Sequence, residues 1–125
     1  LDAKGRILLS KKKRERLGAD FVVAFGEVGC LVAYPSVRWE ALVDEVLSSP
    51  ATNLGRQQYS RLVLGSAEDE LNCDAQGRFV LPSRLRERAN LALGSELLLV
   101  GAGDRMEIWS ASEYAAYEAD PDGYG

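Results

Sequence analysis

Two stretches of this sequence match each other and determine how the rest is interpreted: LDAKGRILLS at residues 1–10 and CDAQGRFVLP at residues 73–82. A second pair, LVAY at 31–34 and MEIW at 106–109, follows in the same order along the chain. Self-similarity at a fixed spacing is typical of duplicated structural units. The two ordered matches predict that the chain holds two copies of one unit.

Each copy contains an Asp-x-x-Gly-Arg bend followed by an apolar run. Asp and Gly stand at the first and fourth positions, where a type I turn prefers them. The apolar residues after each bend predict strands over 6–9 and 78–81. We therefore assign the turn-forming role to Asp2, Gly5, Asp74 and Gly77.

Further elements repeat around these bends. In the first copy we expect a basic helix over 11–17 with Ser10 as its N-cap and Gly18 just beyond its end. A hairpin over 21–34 around the turn Gly26-Glu27-Val28-Gly29 follows, then a helix from Pro35 towards Pro50 and a third helix over 53–64 that buries Leu54, Leu62 and Val63. For the second copy we expect strand 67–73, helix 82–90, a hairpin over 96–109 and a helix capped by Ser112.

The composition excludes several classes of function. The 125 residues are 46% hydrophobic and 27% charged, as in an average globular domain, and no apolar run approaches the roughly 18–20 residues that cross a bilayer. Histidine is absent, which removes the commonest general base and metal ligand. Cys30 and Cys73 lack metal-site spacing, so we expect reduced thiols, with a disulfide as the alternative. We expect no enzyme activity, no metal and no cofactor.

Charge is unevenly distributed along the chain. The formal net charge is −4, which alone argues against nucleic acid. Residues 1–16, however, hold seven basic and two acidic side chains. Lys11 to Arg14 fall in the first turn of a predicted helix, where cations oppose the helix dipole. An exposed, solvated helix face is one explanation of this cluster, and we favour contact with phosphate.

The duplicated bends, joined to the Leu-Val-Ala-Tyr-Pro and Met-Glu-Ile-Trp junctions between strand and helix, resemble the MraZ family of the AbrB-like superfamily. This resemblance covers essentially the whole chain. It implies an α+β fold of two interleaved, swapped-hairpin-like repeats that form a small β-barrel with flanking helices. We place the first repeat at 1–49, without its N-terminal strand, a helical connection at 50–66 and the second repeat at 67–125.

The resemblance also implies a function. Family members are bacterial transcriptional regulators that bind repeated operator boxes in double-stranded DNA, upstream of the division and cell-wall gene cluster. They assemble into rings of eight or more subunits. The resemblance thus predicts a cytoplasmic, nucleoid-associated homo-oligomer with no membrane partner and no small-molecule substrate.

Carried over to this chain, the arginine of each bend faces DNA, which places that role on Arg6 and Arg78. Lys4 matches a basic family position, whereas its counterpart is Gln76. From the residues themselves, the basic helix would add phosphate contacts that position the duplex. The contacting residues of that helix are expected to be Lys11, Lys12, Lys13 and Arg14.

Other interpretations stay open at this point. Arg6 and Arg78 could instead form ion pairs with the aspartates four residues earlier, and both roles could coexist. Lys13 departs from the apolar residue usual in the family, which its repeat-mate Leu85 keeps. A ring-forming scaffold or antitoxin-like module of the same superfamily is the alternative function. An enzyme has no support, because no nucleophile–base pair is visible.

Overall fold

A computed structural model describes residues 1–26, 29–50 and 52–120. The first repeat contributes β1 (Arg6–Leu8), α1 (Lys11–Leu17), β2 (Phe21–Phe25), β3 (Leu31–Pro35) and α2 (Ser36–Leu47). Helix α3 (Leu54–Leu62) and a 3₁₀ turn (Leu64–Ser66) follow. Then come β4 (Glu68–Leu71), β5 (Arg78–Val80), α4 (Ser83–Arg88), β6 (Leu97–Gly101), β7 (Met106–Ser110) and α5 (Ala111–Ala119). Glu27 and Val28 of the expected hairpin turn lie outside the described residues.

The ends of α1 are those that the sequence predicts. The Ser10 side chain accepts a hydrogen bond from the backbone N–H of Lys13 at 3.2 Å, which satisfies one of the free donors of the first turn. Gly18 ends the helix at φ +82°, and its N–H donates to the carbonyl of Arg14 at 2.9 Å. The prediction for α5 is wrong, because Ser110 rather than Ser112 is its N-cap. The helix begins directly after β7, where the extended backbone of Ser110 suits a cap.

β1 and β5 form a two-stranded antiparallel ribbon that joins the two repeats. Ile7 pairs with Phe79 at its centre, with Arg6 opposite Val80 and Leu8 opposite Arg78. The N–H of Leu9 donates to the carbonyl of Gly77 at 2.8 Å, and the N–H of Leu81 donates to that of Gly5 at 2.9 Å. Matching bonds at both ends give the ribbon an approximate twofold axis through its central pair.

The second sheet is also shared between the repeats. Its strand order is β4-β2-β3-β7-β6, all antiparallel. Strand β3 of the first repeat pairs with β7 of the second, and β4, which precedes the second bend, pairs with β2. The α+β class and the interleaved repeats are therefore confirmed. The expected β-barrel is not closed among the described strands. β1 and β5 pair only with each other, and the described strands form two separate sheets.

Hydrophobic residues pack on both faces of the five-stranded sheet. One cluster lies between this sheet and the ribbon, where the rings of Phe21 and Phe79 meet edge to face with centroids 5.0 Å apart. The other face carries a mainly aromatic cluster in which Tyr34 meets Trp39 of α2 and Trp109 meets Tyr114 of α5. The ribbon is thus fixed from beneath, because Ile7 and Phe79 are both buried in the first cluster.

Cys30 and Cys73 are free cysteines, so the disulfide alternative is not realised. Burial raises the pKa of the Cys30 thiol to about 12, which keeps this side chain protonated at neutral pH. Within the described ranges, none of the helices combines the length and the apolar character that crossing a bilayer requires.

Candidate nucleic-acid interface

The first bend is organised around the carboxylate of Asp2. Its Oδ1 accepts the backbone N–H of Lys4 at 2.9 Å and that of Arg6 at 2.8 Å. Its Oδ2 accepts Nε of the Arg6 side chain at 2.7 Å. Gly5, at φ +77°, completes the turn in a conformation that side chains with a Cβ rarely adopt. The bend is therefore rigid, and it fixes the direction in which Arg6 leaves the backbone.

The second bend repeats this arrangement with two differences at the arginine side chain. Asp74 Oδ1 accepts the N–H groups of Gln76 at 2.9 Å and Arg78 at 3.0 Å, and Gly77 has φ +85°. The Arg78 Nε lies farther from the carboxylate, at 3.5 Å from Asp74 Oδ2, and its Nη2 donates to the side-chain oxygen of Gln76. The ion-pair interpretation of both arginines therefore holds in the structure, and it leaves guanidinium N–H groups for other acceptors.

The hydrogen bonds within each bend also set its electrostatics. The N–H of Arg6 lowers the pKa of Asp2, and the N–H of Arg78 lowers the pKa of Asp74. The charge of Arg6 lowers the pKa of Asp74 as well, although the two belong to different repeats. The two bends therefore lie close enough for the charge of Arg6 to act on the carboxylate of Asp74.

Both bend arginines lie on the same face of the ribbon. Side chains alternate between the faces of a strand, and directly opposed residues share a face. Ile7 and Phe79 point into the core, so Arg6 and Arg78 face outward. Their side chains are 27% and 30% exposed, respectively. The ribbon thus brings the two duplicated arginines together on one outer surface.

Arg14 is not an open surface cation. Its Nε lies 3.0 Å from the position that a Cβ on Gly77 would occupy, so the guanidinium packs over the second bend. The same Nε is buried and has no hydrogen-bond partner among the described residues. A Cβ at Gly77 would also meet the backbone carbonyl oxygen of Leu9 at 3.0 Å, so the absence of a side chain here favours close packing as well as the positive φ. Helix α1 of one repeat thereby braces the bend of the other.

The remaining lysines of the basic helix face two different environments. Lys12 and Lys13, together with Arg16, line a cavity of about 740 Å³ between α1, the start of α2 and the β6–β7 hairpin. None of the three forms an ion pair with a residue that the structure describes. Lys11 and Lys4 are exposed, Lys4 within the first bend itself. The basic cluster is therefore divided between the ribbon, the packing of the second bend and this cavity.

In the corresponding helix of the second repeat, α4, the equivalent side chains are buried or paired. Leu85, at the position of Lys13, is fully buried. Arg84 donates to Glu68 of β4 at 2.8 Å, and Arg88 lies 4.4 Å from the centroid of the Phe25 ring. These two arginines of α4 therefore have structural partners, whereas their counterparts Lys12 and Arg16 in α1 form no ion pair with a residue that the structure describes.

Two residues of the ribbon surface escaped the sequence interpretation. Leu8 and Val80 are 64% and 60% exposed, beside Arg78 and Arg6. Strand alternation around Ile7 and Phe79 is the signal that could have placed them outward. An apolar run taken without this alternation is interpreted as wholly buried, and the pairing of β1 with β5 confirms which side chains face outward.

The fold and the site define a duplicated α+β protein, in which two interleaved repeats pair their arginine bends in one ribbon. A family model described as "MraZ protein, putative antitoxin-like" matches residues 1–61 and 64–122. The chain belongs to the MraZ family.

Curated relatives agree with this assignment. A protein named "Transcriptional regulator MraZ" from Lactiplantibacillus plantarum is 37% identical over 96% of this chain and 83% of its own length. A protein of the same name from Chromobacterium violaceum is 40% identical over 96% of this chain and 82% of its own. The corresponding protein of Salinispora tropica is 37% identical over the same shares. These relatives are named as regulators and not as enzymes.

Proposed function

We propose that this chain is a sequence-specific DNA-binding transcriptional regulator. The observation that carries the proposal is the placement of Arg6 and Arg78 on one outer face of a rigid two-stranded ribbon. The names of the relatives support it, since each describes a transcriptional regulator.

The ribbon suits base recognition in shape and chemistry. The major groove of B-DNA is about 12 Å wide and admits a two-stranded ribbon. A guanidinium presents a planar fork of donors that can bind O6 and N7 of guanine together. Asp2 holds Arg6 through Nε, which leaves the two Nη groups to meet the base. The ion pair and the DNA contact are thus parts of one arrangement, with the carboxylate orienting the arginine.

Phosphate contacts would come from the lysines near this face. Lys4 is exposed in the first bend and Lys11 at the start of α1, and both can reach an anion as point charges. Lys12 is exposed and can reach a phosphate as well, whereas Lys13, half-buried beside the cavity next to α1, would contribute mainly through its field. Arg14 acts through the second bend, over which it packs. The other residues of the chain are acidic on balance, which restricts DNA to the basic surface.

The finer parts of the proposal concern assembly and target. Repeated operator boxes upstream of the division and cell-wall gene cluster are the proposed sites, in the cytoplasm at the nucleoid. A ring of eight or more subunits would present many ribbons at once, and multivalency adds roughly 10²–10⁴ to affinity when the spacing matches. Exposed apolar residues on the helices would supply surface for subunit contacts; among them are Leu47, Leu54 and Leu62.

The direct test is a footprint of the promoter of the gene's own cluster, with Arg6→Ala and Arg78→Ala compared with Arg61→Ala. Arg61 is an exposed arginine on α3, so the control removes the same charge away from the ribbon. We expect the two ribbon variants to lose protection, with affinity about tenfold lower or worse, since a good bidentate contact contributes about 1–3 kcal/mol. Arg61→Ala should protect spaced repeats as the unaltered chain does.

Salt provides a second readout. Binding led by phosphate contacts releases counterions, so the logarithm of the binding constant should fall linearly with the logarithm of salt concentration. A flat salt response, or an unchanged footprint in the Arg6→Ala variant, would contradict the proposed interface.

A second candidate is a non-enzymatic scaffold or antitoxin-like interaction module. The family model's description favours it, and so does Leu54, which is 71% exposed on α3. Such a module would protect no DNA in the footprint and would retain its assembly when Arg6 is replaced. The same experiment therefore separates the two candidates.

A further inference from the structure

The outer face of the ribbon carries an apolar pair between its two arginines. Leu8 lies directly opposite Arg78, and Val80 lies directly opposite Arg6. Both aliphatic side chains are more than half exposed. They are related by the approximate twofold axis through Ile7 and Phe79, so the face has the same chemistry at each end.

The backbone pairing brings each aliphatic side chain close to its arginine. Hydrogen bonds join Leu9 to Gly77 and Leu81 to Gly5. Because hydrogen-bonded and non-hydrogen-bonded pairs alternate along an antiparallel ladder, the two outward-facing pairs are non-hydrogen-bonded. In such pairs the Cα atoms stand only about 4.5 Å apart and the side chains are closest. Leu8 and Val80 therefore lie beside the aliphatic parts of the two arginine side chains, on the outer face that a partner would contact.

An apolar pair beside two arginines matches a partner that is both anionic and locally apolar. A DNA duplex offers both, because its phosphates flank a major groove in which the only apolar base substituent is the C5-methyl group of thymine. We propose that Leu8 and Val80 contact thymine methyl groups and so contribute sequence preference beside the arginine contacts. This inference rests on the proposed function and adds thymine as a recognised base.

The experiment starts from duplexes selected by the unaltered chain out of a random pool at moderate salt. Each thymine of a selected duplex is then replaced in turn by deoxyuridine, which removes one methyl group and keeps the hydrogen-bonding edge. We expect about a three- to fivefold loss of affinity at the contacted thymines, the size expected for one buried carbon. Leu8→Ala and Val80→Ala should lose a similar factor, with Val37→Ala on α2 as a matched exposed control.

The decisive result is the combination of the two changes. If Leu8 contacts a methyl group, deoxyuridine at that position should cost the Leu8→Ala variant no additional affinity. Binding to unselected duplexes should stay as it was, because the phosphate contacts remain. Additive losses, or insensitivity of every thymine to loss of its methyl group, would overturn the inference while the DNA-binding function stands.

Two other outcomes also count against it. A change in oligomeric mass of Leu8→Ala or Val80→Ala by sedimentation would assign this surface to subunit contact instead. Failure of the unaltered chain to enrich any duplex would remove the proposed function, and the thymine contact with it.

Discussion

Each bend is a small device in which one carboxylate organises a whole turn. Asp2 and Asp74 each accept two backbone N–H groups as well as facing an arginine. The pKa of either carboxyl is lowered most by the hydrogen bond from the backbone N–H of the arginine, and less by its guanidinium. The aspartate therefore holds the shape of the turn, and the arginine side chain can lean on it or reach outward.

A pH titration separates these two contributions. The pKa of Asp2 is lowered in the folded chain, so its stabilising contribution is complete above its usual value of 3.8 and is lost as the pH falls through the lowered value. In Arg6→Gln we expect the pKa of Asp2 to remain below 3.8, because the backbone N–H is retained. Carbon-13 NMR of the side-chain carboxyl measures it directly.

The opposite result would be a return of the Asp2 carboxyl to its usual range in that variant. It would mean that the guanidinium, and not the backbone, controls the carboxylate. Asp104 in the same sample is the internal reference, since its pKa is lowered mainly by Arg38 and not by Arg6.

At the scale of helices and strands, the two copies have diverged where their basic helices meet the core. Leu85 of α4 is fully buried, while Lys13 of α1 lies half-buried beside an open cavity. The same place in the repeat therefore serves packing in one copy and positive charge in the other.

Alanine at these two positions should give very different stabilities. Leu85→Ala removes buried carbon and leaves a void, which typically costs about 2–5 kcal/mol in the free energy of unfolding. Lys13→Ala should change it by no more than about 0.5 kcal/mol, because little apolar contact is lost and one cation leaves the unfavourable end of a helix dipole. Urea denaturation of both variants tests the contrast, and equal losses would contradict it.

Local signals in the sequence were sufficient to predict most helices and strands, but they did not predict which face of each element is buried. Ser10 and Gly18 delimit α1 because capping depends on neighbouring backbone atoms alone. The burial expected for Leu54 and Leu62 is wrong, as they are 71% and 40% exposed, and only Val63 is buried. Burial depends on which elements pack together, and no local pattern records that.

The candidate site shows the same division. The duplicated motif in the sequence indicates that Arg6 and Arg78 are equivalent. Their proximity, however, results from the ladder between β1 and β5. The packing of Arg14 over Gly77 has no signal in the sequence, because it joins a helix of one repeat to a turn of the other.

For the molecule as a whole, the interleaving predicts that neither half is stable alone. Among the described strands, every ladder except the two hairpins joins elements from different repeats. We expect fragments 1–62 and 63–125 to be unfolded separately by circular dichroism and to regain structure when mixed in equal amounts. Independent, cooperative melting of either fragment would show that the shared ladders are dispensable.

One covalent chain carries both strands of the ribbon, so the two bends do not have to be identical. Two identical subunits around a true dyad are bound to present the same side chain twice. Here Lys4 stands in one bend and Gln76 in the other. A mutation can therefore change one bend of the ribbon and leave the other bend as it is. If the ribbon binds DNA as proposed, such a fused pair can prefer a site whose two halves differ in sequence, and it does not require a palindrome.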